Sequence, residues 1–174
     1  MALFLGWLLL FLPLQDDPVN DLRALRWGMT SREVRTAEKL QPTLVSDTLL
    51  LYRQLWFSDL PASLELSFMN GRLAGARYLF TEHHVRASEH WEDYQRIVKV
   101  LSGRYGPPSG NNWTWIVPLY KDRPNRYGDA VLLGHLNRSN VWETTRTIIT
   151  LEMSGTPGEG IRTIISYASK SRAS

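Results

Sequence analysis

"SLELSFMNGRLAGARYLF", residues 63–80, decides what kind of fold this chain makes. Leu64, Leu66 and Phe68 alternate with Glu65 and Ser67, the period of two that gives a strand one apolar face. Asn70-Gly71 follows at once. A tight two-residue hairpin turn requires positive φ at both central residues, and Asn-Gly tolerates it best. The turn sets the register, with Phe68 facing Leu73 and Leu66 facing Gly75. Continued strictly, that register sets Arg77 against Leu64 on the apolar side and turns Tyr78 and Phe80 outward. One extra residue near Gly75, a β-bulge, returns both aromatics to the apolar face. A bulged antiparallel hairpin is therefore expected.

Outward from this hairpin, "LLLYRQLWF", 49–57, predicts another strand. Before it, "WGMTSREV" specifies a helix start: Thr30 as N-cap with Glu33 three residues on forms a capping box, and Met29 and Val34 occupy the staple positions. Val34, Ala37 and Leu40 continue at helical spacing, with Arg32, Arg35, Glu38 and Lys39 off the stripe, and Pro42 ends the run. On the C-terminal side, 88–105 predicts a second helix, with Trp91, Tyr94, Val98, Leu101 and Tyr105 on one stripe and Gly106-Pro107-Pro108 as its stop. Strands are expected at 113–118, 129–136, 141–153 and 161–168. In the third of these, Thr147, Ile149, Leu151 and Met153 share one face, while Arg146, Thr150 and Glu152 share the other.

The order is helix, three strands, helix, four strands. Short connections between consecutive strands imply antiparallel pairing, so the expected class is α+β: one antiparallel sheet covered on one face by two helices, in a single domain over 21–169. Residues 25–81 and 87–168 each read as a helix followed by a meander, the pattern of a tandem repeat.

The 174 residues are 43% hydrophobic and 21% charged, the balance of a globular chain. Net charge is +3, from 20 basic and 17 acidic residues mixed along the sequence. The densest basic run, "KDRPNR" at 121–126, contains Asp122, so no stripe of the kind that grips nucleic acid is present. Cysteine is absent. Disulfides, thiolate metal sites, thiol catalysis and lipid attachment through an N-terminal cysteine are excluded with it.

Ala2 to Leu14 is apolar and free of charge. Thirteen residues are too short for ~30 Å of hydrocarbon. They match the apolar region of a signal peptide, although no basic residue precedes them and no small-x-small cleavage site follows. Residues 1–15 are expected to act as signal peptide or membrane anchor, placing the protein in the periplasm or at a membrane; a buried N-terminal helix in a cytosolic domain is the competing reading. The helix start carried by Gly28, Met29, Thr30, Glu33 and Val34, with a second helix ending in Gly106 and Pro107 or Pro108, resembles the exported SmpA/OmlA-type, β-lactamase-inhibitor-like domains of bacterial envelopes. The resemblance implies a non-enzymatic envelope protein that binds other proteins. The acylated cysteine of the lipoproteins in that group has no counterpart here.

Residues with catalytic chemistry are sparse. His83, His84 and His90 sit with Glu82 and Glu89 in the approach to the second helix, without the i,i+4 spacing of a helical metal pair. His135 stands alone in an apolar run. No phosphate-binding glycine loop and no Gly-x-Ser-x-Gly elbow occurs. A small hydrolase built on His135 or on the His83–His90 segment is the alternative function. No cofactor and no metal is expected. Above background stands an aromatic and arginine cluster, Trp113, Trp115, Tyr120, Arg123, Arg126, Tyr127, Arg138 and Trp142. Tyr, Trp and Arg dominate binding hot spots. The cluster is the expected interaction surface if it is exposed, and core if Trp113 and Trp115 face inward beneath the helices.

Overall fold

The structure, a computed structural model, describes residues 20–170. The apolar segment 1–15 lies outside the described residues. Among the described residues, no helix is long and apolar enough to cross a membrane.

Among the described residues, eight antiparallel strands form a single sheet: β1 (Leu44–Val45), β2 (Leu49–Phe57), β3 (Leu60–Met69), β4 (Arg72–Phe80), β5 (Gly110–Trp115), β6 (Leu136–Glu143), β7 (Thr147–Thr156) and β8 (Gly160–Ser169). Their spatial order is β1-β2-β3-β4-β8-β7-β6-β5. Two meanders thus meet at their last strands, and β4 pairs with β8 along Gly75–Leu79 and Ile164–Ala168. The helices are α1 (Ser31–Glu38), α2 (Ala87–Tyr105) and α3 (Tyr127–Leu132).

The hairpin at 60–80 forms as its residues dictate. Asn70 and Gly71 have φ of 51° and 71°. Phe68 pairs with Leu73, the register then slips by one, and Ser67 pairs with Gly75. The extra residue is Ala74. Past it, Leu66 opposes Ala76, Leu64 opposes Tyr78 and Ala62 opposes Phe80, so Ala76 and Tyr78 are buried and Phe80 packs against the core.

The expectation of an α+β sheet covered by two helices is corrected. Strand residues outnumber α-helical ones about two to one, and three short helices accompany a β-dominated molecule. The reason is geometric. Eight strands spaced ~4.8 Å apart span roughly 34 Å, whereas a helix is about 10–12 Å across. Coil completes the cover: Leu22, Leu25 and Trp27 are buried, and the Trp27 indole donates to Thr147 Oγ1 at 2.8 Å. The element order in each half is a helix followed by a four-strand meander, α1 with β1–β4 and α2 with β5–β8, and α3 is inserted between β5 and β6 of the second.

Individual elements are corrected too. Residues 129–136 are not a strand. Single-turn helices at Pro118–Tyr120 and Pro124–Arg126 lead into α3, and Gly134, at φ 69°, turns the chain into β6. A short apolar run does not distinguish strand from buried helix by periodicity. The expected strand 141–153 breaks at Thr144, whose hydroxyl accepts from the N–H groups of Arg146 and Thr147 at 3.3 and 3.0 Å and withdraws them from the ladder. Helix α1 stops at Lys39 in the left-handed region (φ 55°), before Pro42. Its Glu38 is buried against Arg23 at 3.0 Å while Leu40 is exposed, so the expected stripe holds at Val34 and Ala37 and fails at its last position.

Candidate functional site

Strand β5 is an edge of the sheet. Its cross-strand partners on β6 are Asn111 with Asn140, Trp113 with Arg138 and Trp115 with Leu136. Directly opposed residues project from the same face, so these six side chains lie on the face that buries Asn140, Arg138 and Leu136. Across from them, Trp91, Tyr94, Gln95 and Val98 form one face of α2 by their i, i+3, i+4, i+7 spacing. A groove of about 540 Å³ lies between the two, with Pro108, Pro124 and Tyr127 completing its lining. That volume falls within the ~300–1,000 Å³ of small-ligand sites.

The groove's walls are aromatic and mutually braced. Trp113 lies 5.7 Å from Trp91 and 5.2 Å from Tyr127, centroid to centroid, and Trp91 lies 5.3 Å from Tyr127. Trp113 nonetheless stays 41% exposed, because an edge strand has no neighbour to cover it. The two readings of Trp113 therefore meet: it is on the helix-side face and still open to solvent.

At the base lies Arg138, 6% exposed. Its guanidinium carbon is 3.7 Å from the Trp113 ring centroid and 5.7 Å from that of Tyr94, a stacked cation–π arrangement. Nη1 donates to the Asn112 carbonyl and Nη2 to Asn111 Oδ1 at 2.8 Å. Nε is buried and has no partner. No carboxylate among the described residues pairs with it. Burial pushes the Arg138 pKa down, opposed in part by Tyr94. Asn140 links the elements, accepting from the Tyr94 hydroxyl at 2.7 Å and donating to Asn111 at 3.3 Å. Burial pushes the Tyr94 phenol up to about 12 against the opposing charge of Arg138, so it stays protonated as a donor.

Of the residues singled out from sequence, Trp113, Tyr127 and Arg138 come together in the groove. Trp115 braces Tyr127 from behind at 5.6 Å. Tyr120 and Arg126 form a separate pair, the guanidinium 5.1 Å from the ring, and Arg126 is also bound to Asp129. Arg123 is exposed away from the groove lining. Trp142 is core, its indole donating to the Gly106 carbonyl at 3.1 Å. Sequence reasoning missed Asn111, Asn140 and the α2 wall. Asn140 did carry a signal, a polar side chain in step with the apolar positions Leu136 and Trp142.

The histidines are arranged otherwise. His84 Nε2 is 2.5 Å from Asp93 Oδ2, its Nδ1 is 3.8 Å from Glu89, and its ring meets His90 at 4.8 Å. The cavity beside His90 and Asp93 holds about 20 Å³, room for a single water. His135 stacks on Tyr120 at 6.2 Å, and its Nδ1 is buried without a partner. Among the described residues no cluster of His, Asp and Glu could hold a metal ion. A second hollow, of about 500 Å³, is lined by residues of β2–β4 including Leu51, Arg53, Trp56 and Glu65. There Glu65 is already paired with Arg77 at 2.7 Å.

No protein family, curated protein or solved structure matches the chain.

Proposed function

We propose that this chain is an exported cell-envelope protein with a non-enzymatic binding role, exercised through the groove between α2 and β5–β6 on another envelope protein. One observation carries the binding reading: the groove has ligand-site volume and three braced aromatic walls, and no histidine, carboxylate, lysine, serine or threonine among its lining residues. A catalytic site needs a base or nucleophile in reach of a bound substrate. Here the histidine–carboxylate pair sits beside a cavity too small for one, and the groove between α2 and β5–β6 holds neither group. The apolar, uncharged run Ala2–Leu14 supports export, and the resemblance of the helix start to envelope domains points the same way.

Replacing Trp113 with a photo-crosslinking phenylalanine analogue tests both parts in living cells. Adducts with an envelope protein are expected from position 113 and not from the exposed Trp56, and a groove-filling Gln95→Trp should abolish them. A cytosolic chain still starting at Met1, or equal labelling from 56 and 113, would overturn the proposal.

A further inference from the structure

We infer that the groove takes a monocarboxylate carried on an aromatic group, with the carboxylate on Arg138 and the ring between Trp91, Trp113 and Tyr127. The inference rests on the groove being a binding site and adds what it binds.

The argument starts from charge. A guanidinium stays protonated under any ordinary condition, and taking a cation out of water costs several kcal/mol unless an anion or hydrogen bonds compensate. Arg138 has two of its five N–H groups bonded, both to neutral oxygens of Asn111 and Asn112. Its Nε–H is buried and unpartnered. Charged side chains buried to this degree are ordinarily paired; in this same molecule the buried carboxylates of Asp21 and Glu38 each meet an arginine, Arg146 at 2.9 Å and Arg23 at 3.0 Å. No acid among the described residues completes Arg138, and a ligand can supply one.

The ligand's charge and shape follow from the rest of the lining. Arg138 is the one charged residue among the groove-lining residues, which otherwise offer Asn111, Asn140, Gln95 and the Tyr94 phenol as neutral polar groups. One cation balances one negative charge; a dianionic phosphate would bring a second charge into a low-dielectric site with nothing to meet it. The guanidinium edge bearing Nε matches the two oxygens of a planar carboxylate. The walls are flat rings in edge and tilted contact, which favour a flat apolar body. A free aryl acid and the C-terminal aromatic residue of a polypeptide both carry this chemistry.

Calorimetric titration of the full-length chain tests it with four probes: 3-phenylpropionate, 3-phenylpropionamide, and acetyl-Ala-Ala-Phe with a free or an amidated carboxyl end. Each acid is expected to bind at least about tenfold more tightly than its amide, as hydrogen bonds to a charged partner require. Whichever acid binds more tightly identifies the source. Arg138→Met should bring acid affinity down to the level of the amide, and Arg138→Lys should retain part of it. Because Arg138→Met removes a buried charge without an acid partner, its melting temperature should be no lower than that of the wild type. A structural arginine would give the opposite sign. Equal binding of acid and amide overturns the inference and leaves the groove as a binding site. Binding by neither probe overturns it too, while loss of the position-113 adducts is the separate failure of the groove itself. A clear fall in melting temperature for Arg138→Met, with acid affinity intact, assigns the residue to structure and also overturns the inference.

Discussion

Thr30 and Glu33 show how much one pair of side chains settles. Thr30 Oγ1 accepts from the Glu33 N–H at 3.3 Å, and Glu33 accepts from the Thr30 N–H at 2.7 Å. Both bonds were legible as a four-residue spacing, because a capping box depends only on the local chain. Thr30→Ala is expected to lower stability by roughly 0.5–2 kcal/mol, measured by urea unfolding at neutral pH; an unchanged midpoint would remove the cap from the account. The Thr30 backbone N–H and then its hydroxyl hold the Glu33 carboxyl below the usual carboxylate range. A depressed carboxylate contributes stability above its unfolded pKa and loses it as pH falls through the folded value. The difference between wild type and Thr30→Ala should therefore shrink as the medium is made acidic. Arg138 stands at the other extreme. Nothing in "LNRSNVWE" marks its third residue as buried and without an acid partner, since that depends on which side chains the fold delivers to it from β5 and α2.

At the scale of elements, packing distance is decisive. Helix α3 docks on β7 and α2 through two glycines with no room for a side chain. A Cβ on Gly155 would lie 2.1 Å from the Val131 carbonyl oxygen, and one on Gly128 would lie 2.3 Å from the Ala87 carbonyl oxygen. Both obstructing atoms are backbone and cannot rotate aside. Gly155→Ala and Gly128→Ala are each expected to destabilise by at least the ~1–3 kcal/mol typical of overpacking, and to loosen the α3 side of the groove, where Tyr127 sits. Gly158→Ala serves as the comparison for φ alone, because its Cβ would meet open space at φ 86°. Thermal melts that rank all three alike would show that close approach is not the cause. The sequence did announce the hairpin and its bulge, where turn chemistry and alternation act within eighteen residues. It misread 129–136, because four apolar residues suit strand and helix equally until Pro124 and Gly134 set the chain's direction.

At the scale of the whole molecule, two meanders are joined by one seam. Tyr78 and Tyr167 meet across β4 and β8 at 6.2 Å, and one hydrophobic cluster spans both sides. Neither meander should keep its structure without the other's strand on its last edge. Unfolding is expected as one transition, with circular dichroism and tryptophan fluorescence giving the same midpoint. Separate midpoints would show that the seam does not couple the halves. The topology is nearly symmetric about the seam, yet the site is not. Setting Tyr78 against Tyr167 places Leu64 with Ile149 and Tyr52 with Trp142 by their ladder partners, and then Leu50 with Asn140. One half fills that position with leucine. The other fills it with the asparagine that ties Tyr94 to Asn111 at the base of the groove.

By itself the sequence determined what depends on neighbours along the chain: the capping box, the Asn-Gly turn, the bulge, the length of α2 and the alternation of β7. Its aromatic and arginine cluster also named three residues of the groove, Trp113, Tyr127 and Arg138, without separating them from Trp142 in the core or Arg123 on the surface. Only the tertiary structure decided that β5 is an edge, that Trp113 is therefore both packed and exposed, and that Arg138 lies buried with no acid beside it among the described residues. The physical reason is the same in each case. Hydrogen bonds of caps and turns close over a few residues, whereas burial and charge balance are sums over side chains that only folding brings together.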